Sequence, residues 1–171
     1  MILKYSSPNW LSVLCAPHLG GYNLNMEGYN FYHPIEVRYG DLDPQGHVNN
    51  AKCFTYLEQA RVAYIIHLGL WDGHSFFDIG FILADAHLTF KAPILFGTNL
   101  RIWVRVSQLG TKSLTMEYRM EDAGDGHEFA TGDAVLVTYN YHIGETNPIP
   151  DEWRQIIAEF EGMSSKKKLN M

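Results

Sequence analysis

Apolar and polar residues alternate along five stretches of the chain, and this period of two predicts β-strands. The first stretch covers residues 35–39, with Ile35, Val37 and Tyr39 on one face. The other four follow in series later in the chain, and three short turns, at residues 93–97, 109–111 and 124–126, separate them. Short turns indicate antiparallel neighbours. Their apolar positions are Ala84, Ala86, Leu88 and Phe90; Leu100, Ile102, Val104 and Val106; Leu114, Met116, Tyr118 and Met120; and Phe129, Val135, Val137 and Tyr139.

One long helix is predicted between the first strand and the other four. Asn49 or Asn50 is suited to cap its start, and Gly69 ends it after about Leu68. Apolar residues cover much of its circumference, so we expect it to be buried. They are Phe54, Leu57, Ala60, Tyr64 and Leu68, with Val62, Ile65 and Ile66 beside them. The simplest fold that buries this helix is α+β, an arrangement in which a curved antiparallel sheet wraps around one long central helix.

The chain length of 171 residues predicts a single domain with a substantial core. Residues 1–28 have no sustained period and few charges, so we expect a poorly ordered N-terminal extension. The domain proper is predicted over residues 29–162, and it ends in a short amphipathic helix over residues 151–161. Residues 163–171 are expected to be a frayed C-terminal tail.

Charge and composition narrow the functional classes. The net charge of −6 argues against broad nucleic-acid binding. Cys15 and Cys53 cannot build a disulfide framework, which favours a reducing compartment. No apolar run approaches the ~20 residues that a membrane span needs. We therefore expect a cytoplasmic protein with no membrane partner.

Residues 39–61 hold most of the candidate chemistry. A turn at residues 43–46, reading Asp-Pro-Gln-Gly, leads through His47 into the start of the long helix. Aspartate, proline and glycine at these positions are also what a plain type I turn prefers. A loop that ends at a helix N-terminus nevertheless presents a dipole and free amides, which suit it to polarise a carbonyl group.

This arrangement resembles the hotdog-fold acyl-CoA thioesterases of the 4-hydroxybenzoyl-CoA thioesterase superfamily. The matching runs are residues 39–43, 46–50, 56–61 and 90–93, the last followed by Gly97. The resemblance covers roughly residues 32–142. It implies a hotdog fold and hydrolysis of an acyl-CoA thioester to free acid and CoA. The run His-Val-Asn-Asn at residues 47–50 is also similar to that of acyl-carrier-protein thioesterases.

The resemblance also implies roles for particular residues. Asp43 would act as general base on water, or attack the thioester carbonyl to give a mixed anhydride. The backbone amide of Asn50 would stabilise the developing oxyanion. His47 would orient water or contact the thioester, unless it is simply a structural loop histidine. Asp41 is expected to hold the loop.

Glu58 has two interpretations. It lies three residues before Arg61 on the predicted helix, so the two side chains can form a buried ion pair. Alternatively, Glu58 is a second catalytic carboxylate, as in some hotdog thioesterases. The sequence alone leaves both open.

Coenzyme A would be part of the substrate, and we expect no separate cofactor. Candidate cations for its phosphates are Lys91, Arg101, Arg105 and Lys112, although each is equally explained as a solvated surface charge. No ligand spacing typical of a metal site is present, so we expect no metal. The resemblance implies a homodimer, alone or as half of a dimer of dimers, with the active site at the subunit interface.

Two other classes of function compete with hydrolysis. A hotdog enoyl-thioester hydratase carries Asp-x-Asn-Pro-x-His, whereas here Asp43 precedes His47 by four residues and Gln45 stands where the asparagine would be. A non-catalytic acyl-CoA-binding module is the other alternative. A regulator of this kind would need a DNA-binding domain, and residues 1–28 are too short and too uncharged to form one.

Overall fold

The computed structural model describes residues 26–163, which form one antiparallel sheet, two α-helices and two short 3-10 helices, Tyr39–Asp41 and Phe76–Asp78. The α-helices are α1 (Asn50–His67) and α2 (Asp151–Phe160). The strands are β1 (Phe31–Glu36), β2 (Phe81–Phe90), β3 (Asn99–Leu109), β4 (Ser113–Asp122), β5 (Glu128–Asn140) and β6 (Glu145–Thr146).

The strand order in the sheet is β1-β3-β4-β5-β2, with the short β6 paired to β5. Every pairing is antiparallel. β1 and β2 flank α1 in the sequence but lie at opposite edges of the sheet, and α1 packs on β1 and β3. The predicted α+β arrangement of one sheet against one long helix is confirmed, and β6 is an addition that its two residues were too short to predict.

The core lies between α1 and the sheet. Its largest fully buried side chains include Tyr56, Leu57 and Tyr64 of α1 and Met116 and Tyr118 of β4. The buried residues of α1 repeat at spacings of three and four from Cys53 to Ile65, so they lie on one face of the helix. Burial of this apolar face therefore fixes the orientation of α1 on the sheet.

The end of β1 differs from the prediction. β1 stops at Glu36, and Tyr39 is 81% exposed at the start of a 3-10 turn. The Arg38 side chain and main-chain amide both bind the Asp41 carboxylate, which bends the chain away from the sheet. Local hydrogen bonds of this kind compete with strand pairing and are not visible in an apolar alternation.

The burial of α1 was predicted too broadly. Its bounds match the prediction, but Phe54 is 41% exposed and Ile66 is 40% exposed on the side that faces away from the sheet. In β5 the predicted apolar face is buried only at Phe129. Ala130, Ala134 and Leu136 are buried, whereas Val135 and Val137 are only partly so. Small residues occupy the core side because Tyr118 and Met116 of neighbouring β4 already fill that space.

The predicted N-terminal extension and C-terminal tail lie almost wholly outside the described residues. At the start of the described residues, Met26 forms a β-bridge with Tyr29, and the Gly28 carbonyl accepts a hydrogen bond from Arg105. At the other end, the Met163 amide donates to the Ala158 carbonyl after α2. Among residues 26–163, no helix is long and apolar enough to cross a lipid bilayer.

Gly132 of β5 leaves no room for a side chain beside β2. A Cβ atom there would lie 2.2 Å from the His87 carbonyl oxygen, so the two strands would have to separate. We predict that Gly132→Ala lowers the free energy of unfolding by about 1–3 kcal/mol, as overpacking does. Gly40→Ala is the matched control because its Cβ meets nothing within 4 Å. Urea unfolding of both variants tests this, and equal stability of the two would contradict it.

Candidate active site

The loop between β1 and α1 is built on a tight turn at residues 43–46. The Gly46 amide donates to the Asp43 carbonyl at 3.0 Å, and Gly46 has a positive φ of 83° that glycine adopts without strain. The Asp43 amide in turn donates to the His47 carbonyl at 2.7 Å. The turn predicted from Asp-Pro-Gln-Gly is thus confirmed.

The Asp43 carboxylate is held by its own turn. Its Oδ1 accepts hydrogen bonds from the Gln45 amide at 2.9 Å and the His47 amide at 3.1 Å. With its side-chain amide oriented to satisfy both groups, Gln45 also donates to Asp43 Oδ2 at 3.0 Å. These three donors fix the direction of the carboxylate.

The first turn of α1 leaves one amide free. Asn49 is the N-cap, and its side chain accepts from the Ala51 amide at 2.9 Å. The Asn49 amide itself donates to the Asp41 carbonyl, and the Lys52 amide donates to the Asn49 carbonyl. Within residues 26–163, the Asn50 amide has no acceptor. It is therefore available to a ligand, at the positive end of the helix dipole.

Asp43, His47 and Asn50 line one cavity of about 310 Å³. Lys91 also lines it, on the segment that follows β2. The floor of the cavity is apolar and includes the buried residues Val48, Cys53 and Ile94. The cavity therefore has a charged and polar mouth and an apolar interior.

Asp41, two residues before Asp43, is only 2% exposed. Its Oδ2 accepts from the Tyr56 hydroxyl at 2.8 Å and from Arg38 Nε at 3.1 Å, and a second Arg38 nitrogen reaches Oδ1 at 3.2 Å. Burial alone would raise the pKa of Asp41, but the hydrogen bonds from Arg38 and Tyr56 outweigh it and lower the pKa. The carboxylate is thus ionised, and it ties the loop to α1, as expected for a loop-holding residue.

Cys53 also lines the cavity, and it was not among the site residues predicted from the sequence. Its helical position gave the signal, because Cys53 lies three residues after Asn50 and so shares its face. Burial raises the pKa of the Cys53 thiol to about 11, which keeps it protonated near neutral pH. Cys53 is therefore a wall of the cavity and not a nucleophile.

Glu58 does not line the cavity, so the structure does not place it with the other candidate catalytic residues. It is exposed on the outer side of α1, whereas Arg61 is buried at 9% exposure. No ion pair joins them among the contacts of residues 26–163, so the expected buried pair was wrong. Arg61 turns inward toward Tyr118 instead, where it partly offsets the rise that burial causes in the pKa of the Tyr118 hydroxyl.

Of the four predicted phosphate-binding cations, Lys91 lines the cavity and forms an ion pair with Glu128. The prediction that Arg101 binds a phosphate is corrected, because Arg101 is only 8% exposed and pairs with buried Glu121 at 2.6 Å. Arg105 pairs with Glu117, and Lys112 binds the carbonyl and hydroxyl of Thr146. These three side chains do not line the cavity. Each has an intramolecular partner elsewhere on the sheet or its turns.

No three His, Cys, Asp or Glu side chains within the described part of the chain group closely enough to hold a metal ion. The cavity chemistry thus consists of a carboxylate, an imidazole and a free helix amide. A carboxylate beside a free helix amide can supply a base or nucleophile together with oxyanion stabilisation.

Solved structures match this fold. A thioesterase from Thermus thermophilus, complexed with coenzyme A and zinc, is 35% identical, with 80% of this chain and 98% of that chain covered and a TM-score of 0.70. A 1,4-dihydroxy-2-naphthoyl-CoA thioesterase from Synechocystis shares the fold, with a TM-score of 0.66, 19% identity, and 75% of this chain and 96% of that chain covered.

Among curated proteins, an uncharacterised protein of Bacillus subtilis strain 168, YsmA, is 26% identical over 129 residues, which are 75% of this chain and 86% of that protein. The family model of the thioesterase-like superfamily matches residues 37–157, a span that runs from the cavity loop to α2. The fold is thus that of the hotdog thioesterases, and the chain belongs to the thioesterase-like superfamily.

Proposed function

We propose that this protein hydrolyses an acyl-CoA thioester to the free acid and CoA. The observation that carries the proposal is that one cavity is lined by both Asp43 and Asn50, whose amide has no acceptor among residues 26–163. Membership of the thioesterase-like superfamily supports thioester hydrolysis. Coenzyme A bound to the Thermus relative supports a CoA thioester as the substrate.

The thioester carbonyl oxygen would accept a hydrogen bond from the Asn50 amide. Negative charge develops on this oxygen as the carbonyl carbon becomes tetrahedral, and the helix dipole stabilises that charge more than it stabilises the neutral ground state. The free amide thus lowers the barrier to nucleophilic attack.

Asp43 would supply the nucleophile in one of two ways. As a general base it takes a proton from water, the hydroxide adds to the carbonyl carbon, and the CoA thiolate leaves as the tetrahedral intermediate collapses. As a nucleophile its carboxylate attacks the carbonyl carbon and expels the CoA thiolate, which gives a mixed anhydride that water then hydrolyses to the free acid and the Asp43 carboxylate. His47 lines the same cavity and is proposed to orient the water or the thioester.

The cavity also sets the direction of the substrate. The acyl group would enter the apolar interior at Val48, Cys53 and Ile94, because burying apolar surface there is favourable. The CoA portion would leave past the polar mouth, where Lys91 is 46% exposed and can approach a phosphate or the pantetheine arm.

A homodimer is part of the proposal. β2 is an edge strand of ten residues, and its exposed apolar side chains include Ile82, Leu83 and Phe90. A long apolar edge with free backbone groups invites pairing with another strand. Pairing of β2 with β2 of a second copy would cover this edge and bring the partner next to the cavity, which Phe90 also lines.

Replacement of the loop carboxylate tests the function directly. Asn in place of Asp43 keeps an oxygen for the Gln45 and His47 amides but removes the charge and the basicity. We predict that Asp43→Asn lowers kcat for CoA release by about 10²–10⁴-fold, the usual contribution of a general base. Thiol release from acetyl-, hexanoyl-, benzoyl-, phenylacetyl- and palmitoyl-CoA measures this.

Asp125→Asn is the matched control, since Asp125 also accepts a main-chain amide hydrogen bond two residues on, from His127, but does not line the cavity. It should retain wild-type turnover. If Asp43→Asn also retains it, Asp43 is only a turn residue. If wild type binds an acyl-CoA tightly but releases no thiol from any of these substrates, the protein is a binding module.

A charge on the β2 edge tests the dimer. We predict that wild type sediments at about twice the 19.5 kDa chain mass. Leu83→Lys should shift it toward the monomer, because a lysine on an edge strand blocks sheet extension. Ile143→Lys, which changes an exposed apolar residue outside β2, should stay dimeric. A wild-type monomer that is fully active would contradict the proposed dimer.

A further inference from the structure

Two buried tyrosines of α1 donate their hydroxyls to carboxylates in the same way, but at opposite ends of the helix. Tyr56 donates to Asp41 at 2.8 Å, and Tyr64 donates to Glu161 after α2. Both tyrosines are at most 1% exposed. Only the partner of Tyr56 belongs to the loop that carries Asp43.

Asp41 joins that loop to α1 through two separate groups. Its main-chain carbonyl accepts from the amide of Asn49, the N-cap, at 2.9 Å. Its buried side chain accepts from Tyr56, which lies in the second turn of α1. The residue two positions before Asp43 is therefore attached both to the start of the helix and to its body.

The hydrogen bonds of Asp43 itself do not supply this attachment. Its carboxylate binds groups of residues 45 and 47, so these bonds hold the shape of the turn but not its position on α1. Arg38 lies in the same loop as Asp41, and its side chain is 60% exposed. Lys52 of α1 approaches Asp41 at 3.8 Å with a side chain that is 42% exposed, which makes it a weak tie.

We propose that Tyr56 is a positioning residue, which acts through Asp41 to fix the Asp43 carboxylate relative to the Asn50 amide. The inference rests on the proposed function, because it concerns the two groups that would act on the thioester. Loss of the hydroxyl frees the side chain of Asp41 from the helix body, and the turn then shifts relative to Asn50. A displacement of about 1 Å between reacting groups costs roughly 10²-fold in rate.

The test compares Tyr56→Phe with Tyr64→Phe. Each variant loses one buried hydroxyl that donates to a carboxylate, so the two should lose similar thermal stability. Only Tyr56→Phe should lower kcat, by roughly 10- to 100-fold, with KM changed by less than about threefold, since positioning affects the transition state more than substrate binding. The readout is thiol release from the acyl-CoA that wild type cleaves fastest, at a temperature where circular dichroism shows all proteins folded.

Amide resonances provide a readout that needs no activity. In ¹H–¹⁵N spectra, the His47 and Asn50 amides should shift in Tyr56→Phe but not in Tyr64→Phe, since the His47 amide binds Asp43 and Asn50 lines the cavity beside it. A wild-type protein that cleaves no thioester would overturn the proposed function, and these resonances would still decide the positioning role. Unchanged resonances and unchanged kcat in Tyr56→Phe would overturn the inference.

Arg38→Ala keeps the inference testable if Tyr56→Phe does not fold. It removes an exposed side chain that holds the same Asp41 carboxylate, so the fold should persist. We expect kcat to fall, with KM changed by less than about threefold and the His47 amide resonance moved. Arg38 orients the carboxylate that Tyr56 binds, so its loss should weaken the tie to α1. An unchanged kcat together with an unmoved His47 resonance would overturn the inference.

Discussion

The position of the α1 N-terminus is the constraint on which the site depends. A free helix amide is useful only if it points into a space that a carbonyl can enter and if the rest of the first turn is satisfied. Here the Asn49 side chain accepts a hydrogen bond from the Ala51 amide, and the Asp41 carbonyl accepts one from the Asn49 amide. Asn50 is the residue whose amide is left without an acceptor among residues 26–163, and Asn50 lines the cavity.

The fold holds that amide in place by burying one face of α1. Tyr56, Leu57 and Tyr64 pack into the core against the sheet, so the helix can neither slide nor rotate without exposing large side chains. The opposite wall of the cavity follows β2, where Ile94 accepts the Val48 amide at 2.8 Å and Leu95 pairs with His47. The cavity thus lies between a packed helix and a loop that is joined to the chain beyond β2.

Local sequence signals predicted the elements and the turn at Asp43 because these depend on neighbours in the chain. Asn49 and Gly69 bracket α1, and Asp-Pro-Gln-Gly forms the turn it favours. The failures depend on contacts between distant residues. Arg101 is buried and pairs with Glu121 of the neighbouring strand, and Arg61 turns toward Tyr118 while Glu58 stays exposed. The bond from Tyr56 to Asp41, fifteen residues apart, likewise has no local signature.

The most direct measurement removes the Asn50 amide while leaving the helix intact. Asn50 is the first residue of α1, where proline is well tolerated, and Asn49 has the extended φ and ψ of −60° and 135° that a residue before proline adopts. Thiol release by Asn50→Pro should be roughly 10²–10³-fold slower than by Asn50→Ala, which keeps the N–H. Equal rates in two folded variants would show that this amide does not stabilise the transition state and would contradict the account.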